Sequence, residues 1–146
     1  MTSFSFHQNP LSTKVINLLM RHGKKTKAEK ILLQSLKHIE DQAPGKSKEI
    51  FYRGILRAQP LVEVRFRRRR RGKARAIPHP LSPSRQLTLG IRGILQAAGE
   101  KPSLPLSKSL GEEFIQASQG KGSAIKKKLR LHKTAKANRT LAHFRW

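Results

Sequence analysis

Apolar residues recur at three- and four-residue spacing through most of the chain, and the breaks in that rhythm divide it into segments. Val15, Ile16, Leu19 and Met20 predict a first helix over residues 12–22, which Gly23 stops. Residues 1–11 before it read as a flexible N-terminal arm. Ala28, Ile31, Leu32, Ser35, Leu36 and Ile39 predict a second helix, opened by the capping-box pattern Thr26-Lys27-Ala28-Glu29. Ala43-Pro44-Gly45 breaks it. Ser47 is then expected to cap a third helix that buries Ile50, Phe51, Gly54, Ile55 and Ala58 and ends at Pro60.

The period then changes from helical to alternating. Residues 61–80 carry short β-prone runs on either side of a basic core, the pattern of a β-hairpin. Pro78, Pro80 and Pro83 in the second arm cannot donate to a ladder, so that arm is expected to be an edge strand that fades early. Ser84 opens a fourth helix with Leu87, Ile91, Ile94, Leu95 and Ala98 inward. Gly90 and Gly93 weaken that helix or mark a close crossing. A fifth helix is expected over residues 104–119 with Leu106, Leu110, Phe114 and Ala117 as its stripe, and Gly111 is an unfavourable residue there. Gly120-Lys121-Gly122 reads as a hinge, and a last helix starts near Ser123 and runs toward Phe144. The fold class is therefore mainly α: a bundle of about six helices with one protruding β-hairpin between the third and fourth. Residues 12–146 are expected to form a single domain, in line with the length of 146 residues.

Charge changes the picture from a bundle to a surface. There are 32 Lys and Arg against 8 Asp and Glu, a formal net charge of +24. Such self-repulsion opposes compaction at low salt, so a polyanion partner is expected to stabilise the fold by linkage. The excess lies in three clusters. Arg21, Lys24, Lys25, Lys27 and Lys30 sit at the junction of the first two helices. The hairpin carries Arg65, Arg67, Arg68, Arg69, Arg70, Arg71, Lys73 and Arg75, against Glu63 alone. The final segment carries Lys121, Lys126, Lys127, Lys128, Arg130, Lys133, Lys136, Arg139 and Arg145 with no acidic residue. Arg92 on the fourth helix adds to these. A solvated face normally mixes both signs, so single-signed clusters point to a phosphate backbone. Arginine binds phosphate through a planar fork and stacks on bases, so seven arginines against one lysine in the hairpin point to close contact with folded RNA.

Other chemistries fall away. With no cysteine there is no disulfide framework and no thiolate metal site, and an intracellular compartment is expected. No apolar run approaches a membrane span, and the start of the chain resembles neither a secretory nor a transit signal. No zinc-finger, homeodomain or basic-zipper pattern is present, and aromatics are too few for a stacking sheet. His132 and His143 would stand about 16 Å apart on one continuous helix, too far to share a scissile phosphate. Their expected role is packing or a hydrogen bond to RNA. Glu112 and Glu113 diverge on a helix and make no dyad. His7, His22, His38 and His79 lack metal-ligand spacing. No cofactor and no enzymatic activity are expected. Trp146 and Phe144 are expected to pack. The readings left by the residues are a structural RNA-binding protein, a general DNA-compacting basic protein and, weakest, a basic nuclease.

Several motifs occur in order: Met20-Arg21-His22-Gly23-Lys24-Lys25, Pro60-Leu61-Val62-Glu63-Val64, the basic hairpin with Pro78, Ala97-Ala98, Lys121-Gly122-Ser123-Ala124-Ile125-Lys126-Lys127, and Ala137-Asn138-Arg139-Thr140-Leu141-Ala142-His143-Phe144-Arg145-Trp146. Together they resemble the small-subunit ribosomal protein seven family of bacteria and organelles, over about residues 12–146. The resemblance implies a helical body with an extended hairpin, binding to the 3′ major domain of small-subunit rRNA, and a part in assembling the subunit head. It also implies a hairpin near the exit-site tRNA and the mRNA path, and ribosomal protein eleven as a neighbour. It carries RNA contact over to Lys24, Lys25, Arg65, Arg67, Arg68, Lys126, Lys127 and Arg145. The chain departs from the family in a shortened basic N-terminal arm, an arginine-rich tip at Arg69, Arg70 and Arg71, Gly93 where bacterial members usually carry tryptophan, and Leu129-Arg130 in place of an acidic pair. Those departures look like a mitochondrially encoded member, so the expected location is the mitochondrial matrix, with bacterial cytoplasm or chloroplast as alternatives.

Overall fold

The computed structural model describes residues 9–67, 72 and 74–144. The order is α1 (Pro10–Leu19), α2 (Lys25–Gln42), α3 (Ser47–Ala58), β1 (Val62–Arg67), β2 (Arg75–Pro80), α4 (Pro83–Gly99), α5 (Leu106–Ser118) and α6 (Ser123–Ala137), followed by a 3-10 helix over Arg139–Phe144. The mainly α class and the position of the hairpin match the expectation.

The helix ends differ from the sequence reading for local reasons. The helix expected to start at Ser12 starts at Pro10, so residues 10 and 11 are not part of an arm, and residues 1–8 lie outside the described residues. Asn9 is the cap: its side-chain oxygen accepts from the Leu11 N–H at 3.0 Å, and Pro10 brings a φ suited to the first helical turn. The Asn9 amide also donates to the Tyr52 hydroxyl on α3. The same helix stops at Leu19 rather than His22. Met20 is extended, His22 and Gly23 have φ of +53° and +71°, and the Lys24 N–H closes a turn on the Arg21 carbonyl at 3.1 Å.

The expected capping box does not open α2. Its N-cap is Lys24, which makes no side-chain cap bond, and Thr26 already lies inside the first turn. Likewise Ser47 is the first residue of α3 and not its cap. Its hydroxyl instead supports Glu40, whose carboxylate also accepts from the Gly45 N–H at 2.7 Å. These bonds hold the Glu40 pKa below its ordinary value and tie the corner between α2 and α3.

α5 lies at the centre, against α2, α3 and α4. Its buried residues include Leu110, Phe114 and Ala117, and the Phe114 ring sits 5.0 Å from that of Phe51. Around it pack Val15 and Ile16, Leu32 and Ile39, Ile55, Ile91 and Ile94, and Ala124 and Ile125. Each large side chain so buried contributes about 1.5–3 kcal/mol. Gly111 is required rather than unfavourable. A Cβ there would stand 2.9 Å from His38 Cδ2 and 3.0 Å from the Ser35 carbonyl, so the missing side chain is what lets α5 cross α2 closely. Gly90 meets the Gln59 backbone at 3.1 Å and marks the second close crossing. Gly93 does not, for nothing stands within 4 Å of a Cβ placed there.

The expected hinge at 120–122 is a hydrogen-bonded turn. Gly120, with φ of +80°, ends α5 in a Schellman arrangement: its N–H reaches the Ala117 carbonyl at 3.0 Å, and that of Lys121 reaches Gln116 at 2.8 Å. α6 then starts without an acidic residue in its first turn. Fully buried Glu113 supplies that charge from α5. Its Oε1 accepts from the Ala124 N–H at 2.8 Å, and its Oε2 lies 3.6 Å from the Lys101 ammonium, which is equally far from Glu112. A carboxylate at a helix N-terminus meets both the unpaired N–H groups and the positive end of the dipole. The last helix does not continue to Phe144. α6 ends at Ala137 because the Asn138 amide bonds back to the Thr134 carbonyl at 2.9 Å, and the chain tightens into the 3-10 helix. The continuous-helix spacing assumed between His132 and His143 therefore does not apply.

Candidate nucleic-acid interface

The two strands pair in one register, from Val62 opposite Pro80 to Arg67 opposite Arg75. The second arm does not fade early. Pro78 and Pro80 are two residues apart, so both missing donors fall on the same edge of the strand. The intervening parity keeps its donors, and the Leu81 N–H extends the ladder to Leu61 at 3.1 Å. Alternation puts Glu63, Arg65 and Arg67 on one face and Val62, Val64 and Phe66 on the other.

The hairpin is fastened to the body at three places, two at its root and one at the far end of the ladder. The Leu61 N–H donates to His132 Nε2 on α6 at 3.1 Å. Glu63, whose side chain is 11% exposed, pairs with Arg65 at 2.6 Å and with Arg85 at the start of α4 at 3.3 Å. Burial pushes the Glu63 pKa up, but the two guanidinium groups together outweigh it and hold the value below the ordinary one. Arg75 lies over the Phe144 ring at 5.1 Å, which joins β2 to the 3-10 helix.

His132 thus has its role inside the protein, as an acceptor for the hairpin backbone. Burial, with Lys128 beside it, lowers its pKa below the ordinary histidine value. Because the folded value is depressed, this contribution to stability is complete above the unfolded value of about 6.5 and is lost as pH falls through the folded value. Acidification below the unfolded value is therefore expected to lower the protection factor of the Leu61 amide, its exchange rate being taken relative to the intrinsic rate at the same pH, by loss of a bond that contributes about 1 kcal/mol. His132→Gln retains an acceptor without the titration and is expected to flatten that profile. An unchanged profile in this variant would assign the effect to another group.

The structure sorts the candidate residues into two sets. Lys24, Lys25 and Lys27 lie exposed at the start of α2, with Arg21 before them. Arg92 on α4, Lys126, Arg130 and Lys133 on α6, and Arg139 on the 3-10 helix are also exposed, and Arg67 on β1 is exposed while making a contact of its own. The other set has partners within the fold: Arg65 with Glu63, Arg75 with Phe144, Lys127 with Glu100 at 2.5 Å, and Lys128 with the Arg57 carbonyl at 2.7 Å. Burial lowers the Lys128 pKa. Arg68, Arg69, Arg70, Arg71, Lys73 and Arg145 lie outside the described residues, as does Trp146. His132 on α6 brings the hairpin and last-helix clusters together, and Lys136 and Arg139 line a groove with Leu61 and Pro78 at their junction. Arg21, Lys24 and Lys27 border a separate groove, floored by Ala28, Ile31 and Leu95.

Two features escaped the sequence reading. Arg85 holds Glu63 across 22 positions, and no local pattern announces that pairing. Phe66 is 71% exposed among the arginines, offering a stacking face that its β1 alternation does signal. Acidic side chains are paired by contrast: Glu49, Glu63, Glu100, Glu112 and Glu113 each meet a basic partner, Glu63 and Glu113 in buried positions and Glu49 and Glu100 at the surface. The surface is left with the surplus of cations. Among the described residues no group of His, Asp and Glu is arranged to hold a metal, and no helix is long and apolar enough to cross a membrane.

Residues 1–139 match the protein-family profile described as Ribosomal protein S7p/S5e. The chain is also similar to proteins named small ribosomal subunit protein uS7. It is 38% identical over 140 residues to that of Helicobacter hepaticus, covering 96% of this chain and 90% of the relative. It is 37% identical to that of Thermosipho africanus and 39% identical to that of Kosmotoga olearia, with the same coverage.

Proposed function

Since the chain belongs to the ribosomal protein S7p/S5e family, we propose that it binds the 3′ major domain of small-subunit rRNA and supports assembly of the subunit head. Membership makes it a structural constituent of the ribosome and not an enzyme, and removes the ground for the DNA-compacting and nuclease readings. The observation that carries the RNA reading is the fastening of the hairpin. Leu61 to His132, Glu63 to Arg85 and Arg75 to Phe144 turn a two-stranded ribbon, marginal on its own, into a fixed arm beside α6. A positioned arm and an all-basic helix suit a folded polyanion of defined shape. Contact is assigned first to the exposed set, with Lys24, Lys25, Lys27, Arg92, Lys126, Arg130, Lys133 and Arg139; Arg67 joins it on exposure and charge. Arg68–Arg71, Lys73 and Arg145 join it on charge alone. Arg65, Arg75, Lys127 and Lys128 contribute less, because their internal partners must be shared or released.

The hairpin is placed near the exit-site tRNA and the mRNA path, with ribosomal protein eleven as a neighbour, on the family resemblance. An organellar location rests on the departures at Arg69–Arg71, Gly93 and Leu129-Arg130, while the relatives compared are bacterial and a bacterial cytoplasm is compatible with them. Binding to a folded fragment of small-subunit rRNA and to random duplex DNA, measured side by side at moderate salt, tests the function. A clear preference for the rRNA is expected, and equal affinity overturns the reading. Cosedimentation with mitochondrial or bacterial small subunits decides the location.

A further inference from the structure

Between α4, α6 and the end of α3 lies a groove of about 290 Å³. Ala58, Pro60, Leu89, Ala124 and Leu131 supply its apolar lining, and Gly93 opens it, since nothing stands within 4 Å of a Cβ built there. Arg92, Lys127 and Lys128 stand on its rim. Glu100 is the carboxylate nearby, and it is taken up by Lys127 at 2.5 Å. The site is thus an apolar slot with a net positive edge.

We propose that this groove takes a single unstacked nucleobase of the bound RNA, with the flanking phosphate on Arg92, the exposed rim cation held neither by Glu100 nor by the Arg57 carbonyl. The inference rests on the RNA-binding reading above and names a site within it. A nucleobase combines a flat apolar body with an adjoining negative charge, and the slot and its rim offer the complement of both. Size agrees, for a groove of about 290 Å³ has room for a purine ring. An apolar protein side chain would use the floor but leave the cationic rim without a counterpart. The residue that permits entry is Gly93: its neighbours Arg92 and Ile94 face the rim and the core, and a side chain longer than methyl at position 93 would occupy the slot itself.

The test uses the full chain and two probes, a ten-residue ribose-phosphate oligomer without bases and the same oligomer carrying one central 2-aminopurine. The protein is expected to bind the base-bearing oligomer about tenfold more tightly, the effect of withdrawing about 55 Å² of apolar base surface from water. Gly93→Ala strengthens the helix without filling the slot and is expected to keep the preference. Gly93→Leu fills the slot and is expected to bind both oligomers alike, at the abasic level. Equal affinity of the wild type for the two oligomers, or a preference that survives Gly93→Leu, overturns the inference while leaving the RNA reading intact. Failure of either oligomer to bind at low salt overturns the RNA reading and this inference together.

Discussion

Raising monovalent salt from about 0.1 to about 0.3 M is expected to weaken RNA binding by about three decades. With ~10 phosphates neutralised, each contributing about −0.7, the log–log slope on single-stranded RNA is about −7. The structure adds a way to apportion that slope. Lys126 and Lys133 point outward from α6, and Lys126→Ser or Lys133→Ser is expected to make the slope shallower by about 0.7 each. Lys128 lies on the same helix, but its ammonium is partly desolvated and bonded to the Arg57 carbonyl at 2.7 Å. Lys128→Met is therefore expected to change the slope less than either and to loosen the junction of α3 and α6. Filter binding of an rRNA fragment at a series of salt concentrations measures all of these. A wild-type slope shallower than about −2 would show that few phosphates are neutralised and that the exposed cations are not the binding surface.

The same substitution is expected to act with opposite sign at two glycines. Gly93→Ala places a methyl in open space and exchanges a poor helix former for the best one, so it should stabilise the fold by about 1 kcal/mol. Gly111→Ala makes the same exchange, but its Cβ would lie 3.0 Å from the Ser35 carbonyl and 2.9 Å from His38 Cδ2. A backbone carbonyl in the middle of α2 cannot rotate away, so the two helices must part. The packing cost of about 3 kcal/mol outweighs the propensity gain and leaves a net loss of about 2 kcal/mol. Thermal denaturation should show Tm rising by about 3 °C for the first variant and falling by about 6 °C for the second. A rise for both would mean that the α2–α5 crossing is looser than these distances state.

The legibility of the helices follows from their amphipathicity. Ala28, Leu32, Ser35 and Ile39, or Phe51, Gly54, Ile55 and Ala58, share one face because of the 3.6-residue period alone, and those faces are the buried ones. Ends were harder to read because a cap depends on a single local geometry. Asn9 outcompetes Ser12 as a start for α1, while Thr26-Lys27-Ala28-Glu29 offers a box that α2 does not use as its cap. The interface was legible only as charge. Exposed lysines such as Lys126 and Lys133 were correctly placed on the surface, whereas Arg65, Lys127 and Lys128 look the same in the sequence and turn out to hold Glu63, Glu100 and the Arg57 carbonyl.

The order of amino acids by itself determined the class of the fold, the place of the ribbon among the helices and the sign of the surface, because periodicity and net charge are sums over neighbouring positions. The tertiary structure alone decided which cations face outward, why Gly111 is indispensable while Gly93 opens a groove, and how Glu113 comes to cap α6 and His132 to hold Leu61. Each of those depends on a distance between residues far apart along the chain, set only when the helices pack.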